Sequence, residues 1–171
     1  RAIHWKLSSR FPEPVVREYG IPRRVPTVIG MLYALQPSAD GEPGTRLDAI
    51  LEALTTAVEM MCGNDSAVTV IICGDDWKRS REIASAAELL PFLEAILDMS
   101  PGSDPEAALS VLENTGDSVT CCIADTLERK ISADTVFISG AAKISGQIPV
   151  APETAAKTVY QTLQQAEGGE R

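Results

Sequence analysis

Apolar positions fall into four short continuous runs separated by helical patterns. The runs lie around Thr27 to Leu35 (TVIGMLYAL), Ala67 to Cys73 (AVTVIIC), Val119 to Ala124 and Thr135 to Ser139. Continuous apolarity over strand length is the mark of strands covered on both faces. Between the first two runs, Leu47, Ile50, Leu51, Leu54, Val58 and Met61 recur at helical spacing, with Thr45 as the expected N-cap and Gly63 as the stop. GDD predicts a turn, and WKRSREI an antiparallel return strand. SAAELLPFLEAILDM reads as a helix containing Pro91. In SPGSDPEAALSVLENTG, Asp104 is the expected N-cap, Pro105 the first helical residue and Gly116 the stop. LERKIS predicts a short helix, and PETAAKTVYQTLQQAEGG a closing helix that frays into a polar tail over residues 167–171. The alternation predicts an α/β three-layer sandwich with a mostly parallel central sheet over residues 26–166, a Rossmann-like architecture.

Residues 1–25 differ. RAIHWKLSSR places Ile3, Trp5 and Leu7 two apart, as on one face of an extended segment, and RFPEPVVREYGIPRRVP is punctuated by four prolines. Residues 1–24 hold six Lys/Arg and two Glu, or +4. The remainder holds nine Lys/Arg and twenty-two Asp/Glu, or −13, and the two sum to the net −9. So acidic a body excludes nucleic acid as the main partner, since phosphate binding needs a basic surface. The basic leader has two readings: a segment packed on the acidic body through Ile3, Trp5 and Leu7, or the cytoplasmic flank of a membrane span preceding Arg1.

Catalytic chemistry is thinly represented. His4 is the single histidine, which leaves neither a His-based zinc site nor a ready Ser-His-Asp triad. Cys62, Cys73, Cys121 and Cys122 lack CxxC spacing and read as buried reduced thiols, with strand geometry sending the adjacent pair to opposite faces. Neither QPSADGEPGT nor SGAAKISG has the glycine spacing of a phosphate-binding loop, and no cofactor is implied.

The element order, with one hairpin after the first helix and two helices before the next buried strand, resembles a von Willebrand factor A domain. The leader narrows the likeness: Arg1, Ile3, Trp5, Lys6, Ser9 and Arg10, then Val16, Arg17 and Glu18, resemble the segment that introduces this domain in the bacterial "domain of unknown function 58" family. That resemblance implies an N-terminal part with membrane helices, a domain at the cytoplasmic face of the bacterial membrane, and a protein partner such as a MoxR-type AAA ATPase.

Typical A domains hold a divalent cation through Asp-x-Ser-x-Ser after the first strand, a Thr or Ser on a second loop and an Asp after a later strand, because hard cations need converging oxygens. By that correspondence Tyr33, Leu35 and Pro37 stand where the first set belongs, and none can ligate. Ser38 and Asp40 lie deeper in the loop at the wrong spacing. Ser103 and Asp125 remain as vestigial candidates, and Asp40, Ser103, Asp104, Asp125 and Thr126 as candidate binding residues, with a cap or turn role as the plain alternative for Ser103, Asp104 and Asp125. The expectation is a non-catalytic interaction module without a stoichiometric Mg²⁺ or Ca²⁺. The alternatives are a cation-dependent binder rebuilt on Asp40, Glu42 and Asp125, or an α/β enzyme acting on a phosphorylated substrate.

Overall fold

The computed structural model describes residues 2–3, 16–17, 27–62 and 66–168; for 2–3, 16–17 and 167–168 it describes the backbone alone. A two-stranded antiparallel ribbon joins β1 (Ala2–Ile3) to β2 (Val16–Arg17), with Ala2↔Arg17 and Ile3↔Val16 in register. The side chains of Ile3 and Arg17, and all of Arg1, Trp5, Lys6, Leu7, Ser9, Arg10 and Glu18, lie outside the described residues, and with them the expected packing of the leader.

The body is a six-stranded sheet in the order β5-β4-β3-β6-β7-β8. β3 (Thr27–Leu32), β4 (Val68–Cys73), β6 (Val119–Ala124), β7 (Ala133–Ile138) and β8 (Gln147–Pro149) run parallel, and β5 (Lys78–Ile83) is the one antiparallel member. This is the expected α/β architecture, consistent with a von Willebrand factor A-like arrangement. The first run leaves the ladder earlier than its apolarity predicts. Tyr33 to Leu35 stay buried beyond the strand, where Tyr33 N–H still donates to the Cys73 carbonyl at 2.7 Å and Ala34 bridges Gly102.

Along β3, Ile29 and Met31 enter one core layer and Val28 and Leu32 the other, the alternation that a pleated strand imposes. The first layer packs under α1 (Pro43–Met61), α2 (Ala86–Leu97) and α4 (Ala155–Gly168), the second under α3 (Pro105–Glu113). Cys121 and Cys122 part to opposite layers as strand geometry requires. Gly30 sits where α3 comes closest, since a Cβ there would stand 2.7 Å from a Leu112 methyl.

Three elements depart from expectation. α1 begins at Pro43, with Glu42 at the cap and no side-chain cap bond, so Thr45 lies inside the first turn. Proline at the first helical position, with φ already set, marks the start better than a threonine two residues on. LERKIS is not helical. The chain must return along six-residue strands, about 20 Å, between Asp125 and Ala133, and a helix over those few residues would advance only about 1.5 Å per residue. It crosses as an irregular, bent segment instead, dropping Leu127 and Ile131 into the second core layer. Finally, β8 adds a parallel edge strand to β7 that was not anticipated, three residues long and ending in proline. Among the described residues no helix is long and apolar enough to cross a membrane.

Candidate functional site

β3 leads toward α1 on one face, whereas the segment after β6 turns onto the other. A crevice therefore opens between their carboxyl ends, the place where open α/β sheets gather ligands. Asp125 stands there, one residue past β6 and fully buried. Its carboxylate is enclosed by donors. Gln36 N–H reaches Oδ2 at 2.7 Å, the Ser139 hydroxyl donates to Oδ1 at 2.8 Å, and the Arg46 guanidinium forms an ion pair with Oδ2.

Arg46 arrives from the first turn of α1. Helical side chains lean back toward the N-terminus, so this position overhangs the strand ends. A cation is unfavourable at that end of a helix dipole. Its partners compensate: besides Asp125, one guanidinium nitrogen donates to the Gln36 carbonyl at 3.1 Å. The arginine is 4% exposed, and its Nε lacks a hydrogen-bond partner among the described residues.

Gln36 ties the crevice together, since its side-chain Oε1 also accepts the Thr126 hydroxyl at 2.7 Å. Thr126 is itself 4% exposed. Above it lies a cleft of about 190 Å³ lined by Gln36, Ser103, Asp104, Pro105, Glu106, Thr126 and Glu128. The Ser103 loop is held by a residue read from sequence only as part of a turn. Asp75 accepts the Ser103 and Asp104 N–H groups at 3.0 and 3.2 Å. Gly102 permits this approach, because a Cβ there would fall 2.0 Å from an Asp75 oxygen. Asp104 caps α3, accepting from Glu106 and Ala107 N–H at 3.0 and 3.1 Å. On the outer flank, Arg129 grips Glu113 through both oxygens and Glu106 through Nε, while Lys143 pairs with Glu128. The bond from Arg129 holds the Glu113 carboxyl below its usual range.

The candidates therefore divide. Ser103, Asp104 and Thr126 line one cleft, Asp125 lies beneath it and is closed off by Arg46, and Asp40 is exposed on the loop before α1. Among the described residues no three His, Cys, Asp or Glu side chains converge as a metal cluster. The positions where the resemblance would place cation ligands make other contacts. The Tyr33 hydroxyl donates to the Met99 carbonyl at 2.9 Å, Leu35 is core, and the one buried carboxylate among the described residues already faces a guanidinium. Sequence reading missed Gln36, Arg46, Asp75 and Ser139. Only Arg46 left a trace, as a lone cation in a first turn that holds no acid.

No protein-family model matches the chain, and no curated protein matches it. Among solved structures it is similar to an aerotolerance-related membrane protein from Bacteroides fragilis NCTC 9343 carrying multiple mutations to serines, at 12% identity and a TM-score of 0.41, over 80% of this chain and 87% of that one. It is also similar to the conserved hypothetical protein BatB from Bacteroides thetaiotaomicron, at 12% identity and a TM-score of 0.36, over 80% of this chain and 85% of that one.

Proposed function

We propose that the chain is a non-catalytic protein-interaction module: a degenerate von Willebrand factor A-like domain of a membrane-anchored bacterial protein. It meets its partner through the strand-end cleft, and the leader's resemblance to the "domain of unknown function 58" family points to a MoxR-type AAA ATPase as that partner. The observation that carries the reading is Arg46 against Asp125. A positive charge supplied by the chain itself stands at the carboxylate that would otherwise recruit a cation, so recognition through this end of the sheet requires no added ion. The cleft beside it is polar and exposed, with Ser103 at its rim. A cation-dependent reading has less support, because it needs Asp125 free.

The test is biolayer interferometry between the immobilised domain and a purified MoxR-type AAA ATPase, with and without EGTA, which removes Ca²⁺ and spares the ATPase's magnesium. Binding should be unchanged by EGTA. It should weaken roughly tenfold, about 1.4 kcal/mol, when Ser103→Arg fills the cleft. No binding, or equal binding by the variant, would refute the proposal.

A further inference from the structure

Three of the nine Lys and Arg residues beyond residue 24 fall within β5: Lys78, Arg79 and Arg81. With Glu82 the strand carries +2, three cations less one anion, which leaves −11 on the rest of a chain whose total is −9. Of the other described cations of the body, Lys130 and Lys157 are exposed without an ion pair but lie singly, off any strand, and the rest are committed. Arg46 is buried on Asp125, and Arg129 and Lys143 sit in ion pairs. Lys78, Arg79 and Arg81 form no ion pair among the described residues and are exposed.

β5 is also an edge. It pairs with β4 over all six residues, from Val68↔Ile83 to Cys73↔Lys78, and no described strand takes its other side. A strand paired on one side turns alternate N–H and C=O groups outward, a template for another extended chain. The sign of the charge selects among candidates. If two copies met antiparallel with Ser80 opposite Ser80, Arg79 of one would face Arg81 of the other on one sheet face, repulsion that cancels the Lys78–Glu82 attraction on the other. A strand with acids on the arginine face alone meets attraction only. The leader, at +4 over residues 1–24, is disfavoured by like charge. Arg79 and Arg81 stand opposite Ile72 and Val70 and so share a sheet face, while Lys78 stands opposite Cys73 on the other. Acids two residues apart on an added strand would meet the two arginines.

We propose that β5 is the docking edge for an extended acidic segment of a partner protein, added as a further strand with its alternate carboxylates against Arg79 and Arg81. The inference rests on the reading of the domain as a protein-binding module, but places this contact on the sheet edge rather than in the strand-end cleft.

The probe is a fluorescent peptide alternating Glu with Val and Thr, read by anisotropy at low and physiological salt. It is accompanied by a Lys-for-Glu counterpart and by two versions N-methylated at odd or at even residues. The acidic peptide should bind and the basic one should not. Arg79→Glu with Arg81→Glu, both exposed and checked for folding by circular dichroism, should weaken binding at least roughly tenfold. One N-methylated version should lose binding while the other retains it, since only one set of amides faces the strand. Ser103→Arg should leave peptide binding unchanged, so failure of the cleft reading and failure of the edge reading are distinguishable. Equal binding by the double variant, equal binding by both methylated peptides, or no binding of the acidic peptide would overturn the proposal. Binding of phosphatidylserine vesicles in place of the peptide would also overturn it, assigning the edge to a membrane surface.

Discussion

Replacing Arg46 by Met tests the buried pair at its sharpest point. Methionine matches arginine in helix propensity and fills much of its stem's volume, so α1 itself should be indifferent to the change. Asp125 is not. It is fully buried and would retain the Gln36 N–H and the Ser139 hydroxyl while losing the one counter-charge within ion-pair distance among the described residues. Breaking a buried pair from one side costs about 3–5 kcal/mol, a large share of a typical total stability of about 5–15 kcal/mol. For a domain of this size the midpoint should fall about 2–4 °C per kcal/mol, or roughly 6–20 °C in all. Urea unfolding followed by tryptophan fluorescence would measure it, with linear extrapolation to water. Removing both charges, Arg46→Met with Asp125→Leu, should cost less than the sum of the single changes by about 2 kcal/mol, because neither variant charge is then stranded. A single-variant cost below about 1 kcal/mol, or strictly additive singles, would show that the pair is not the closed and desolvated contact described.

Four further outcomes are expected. Burial pushes the Cys73 thiol to about 11 and the Cys122 thiol to about 12, against an ordinary value of 9.0, and pushes Cys121 up further. Groups raised in the folded state contribute stability below the unfolded value and lose it as pH rises, so between pH 9 and 11 stability should fall by roughly 1.4 kcal/mol per pH unit for each of these thiols, a slope that Cys122→Ala should lessen in urea melts. At pH 8 a thiol reagent should react with at most Cys62, the one half-buried cysteine, and with all four only after unfolding; a rapid second equivalent would contradict the packing. Asp104→Ala should cost about 1 kcal/mol through loss of the α3 cap, whereas Asp75→Ala should chiefly loosen the loop, seen as faster hydrogen exchange at the Ser103 and Asp104 amides.

The sheet was legible because its central strands are buried on both faces, and that condition writes itself into the chain as unbroken apolar runs. The hairpin and the Asp104–Pro105 helix start were equally plain, each being carried by local turn or cap chemistry. Local patterns misled where distance decided. Leu127 and Ile131 lie four apart, as on a helix face, yet the path from Asp125 to Ala133 is too long for a helix. β8 is too short to show a period at all. The site was least legible, because its contacts join residues remote in sequence. Arg46 and Asp125 are 79 positions apart, and Gln36 reaches Thr126 across 90. An arginine on a helix ordinarily points to water, and only the fold turns this one inward.

The pairing distances also order the assembly of the sheet. β6 meets β7 across 14 residues (Cys121↔Thr135) and β7 meets β8 across 11 (Val136↔Gln147), while β3 meets β6 across 92 (Ile29↔Cys121). Closing a loop of 92 rather than 14 residues costs about 1.7 kcal/mol more in chain entropy. The β6–β8 block and the β4–β5 hairpin are therefore expected to gather first, with the seam between β3 and β6 closing late. The Arg46–Asp125 pair spans that seam, joining the helix after β3 to the end of β6. A contact made late is broken early in the reverse direction, so the pair acts as a latch on unfolding: its removal should raise the unfolding rate in stopped-flow urea jumps and leave the folding rate nearly unchanged.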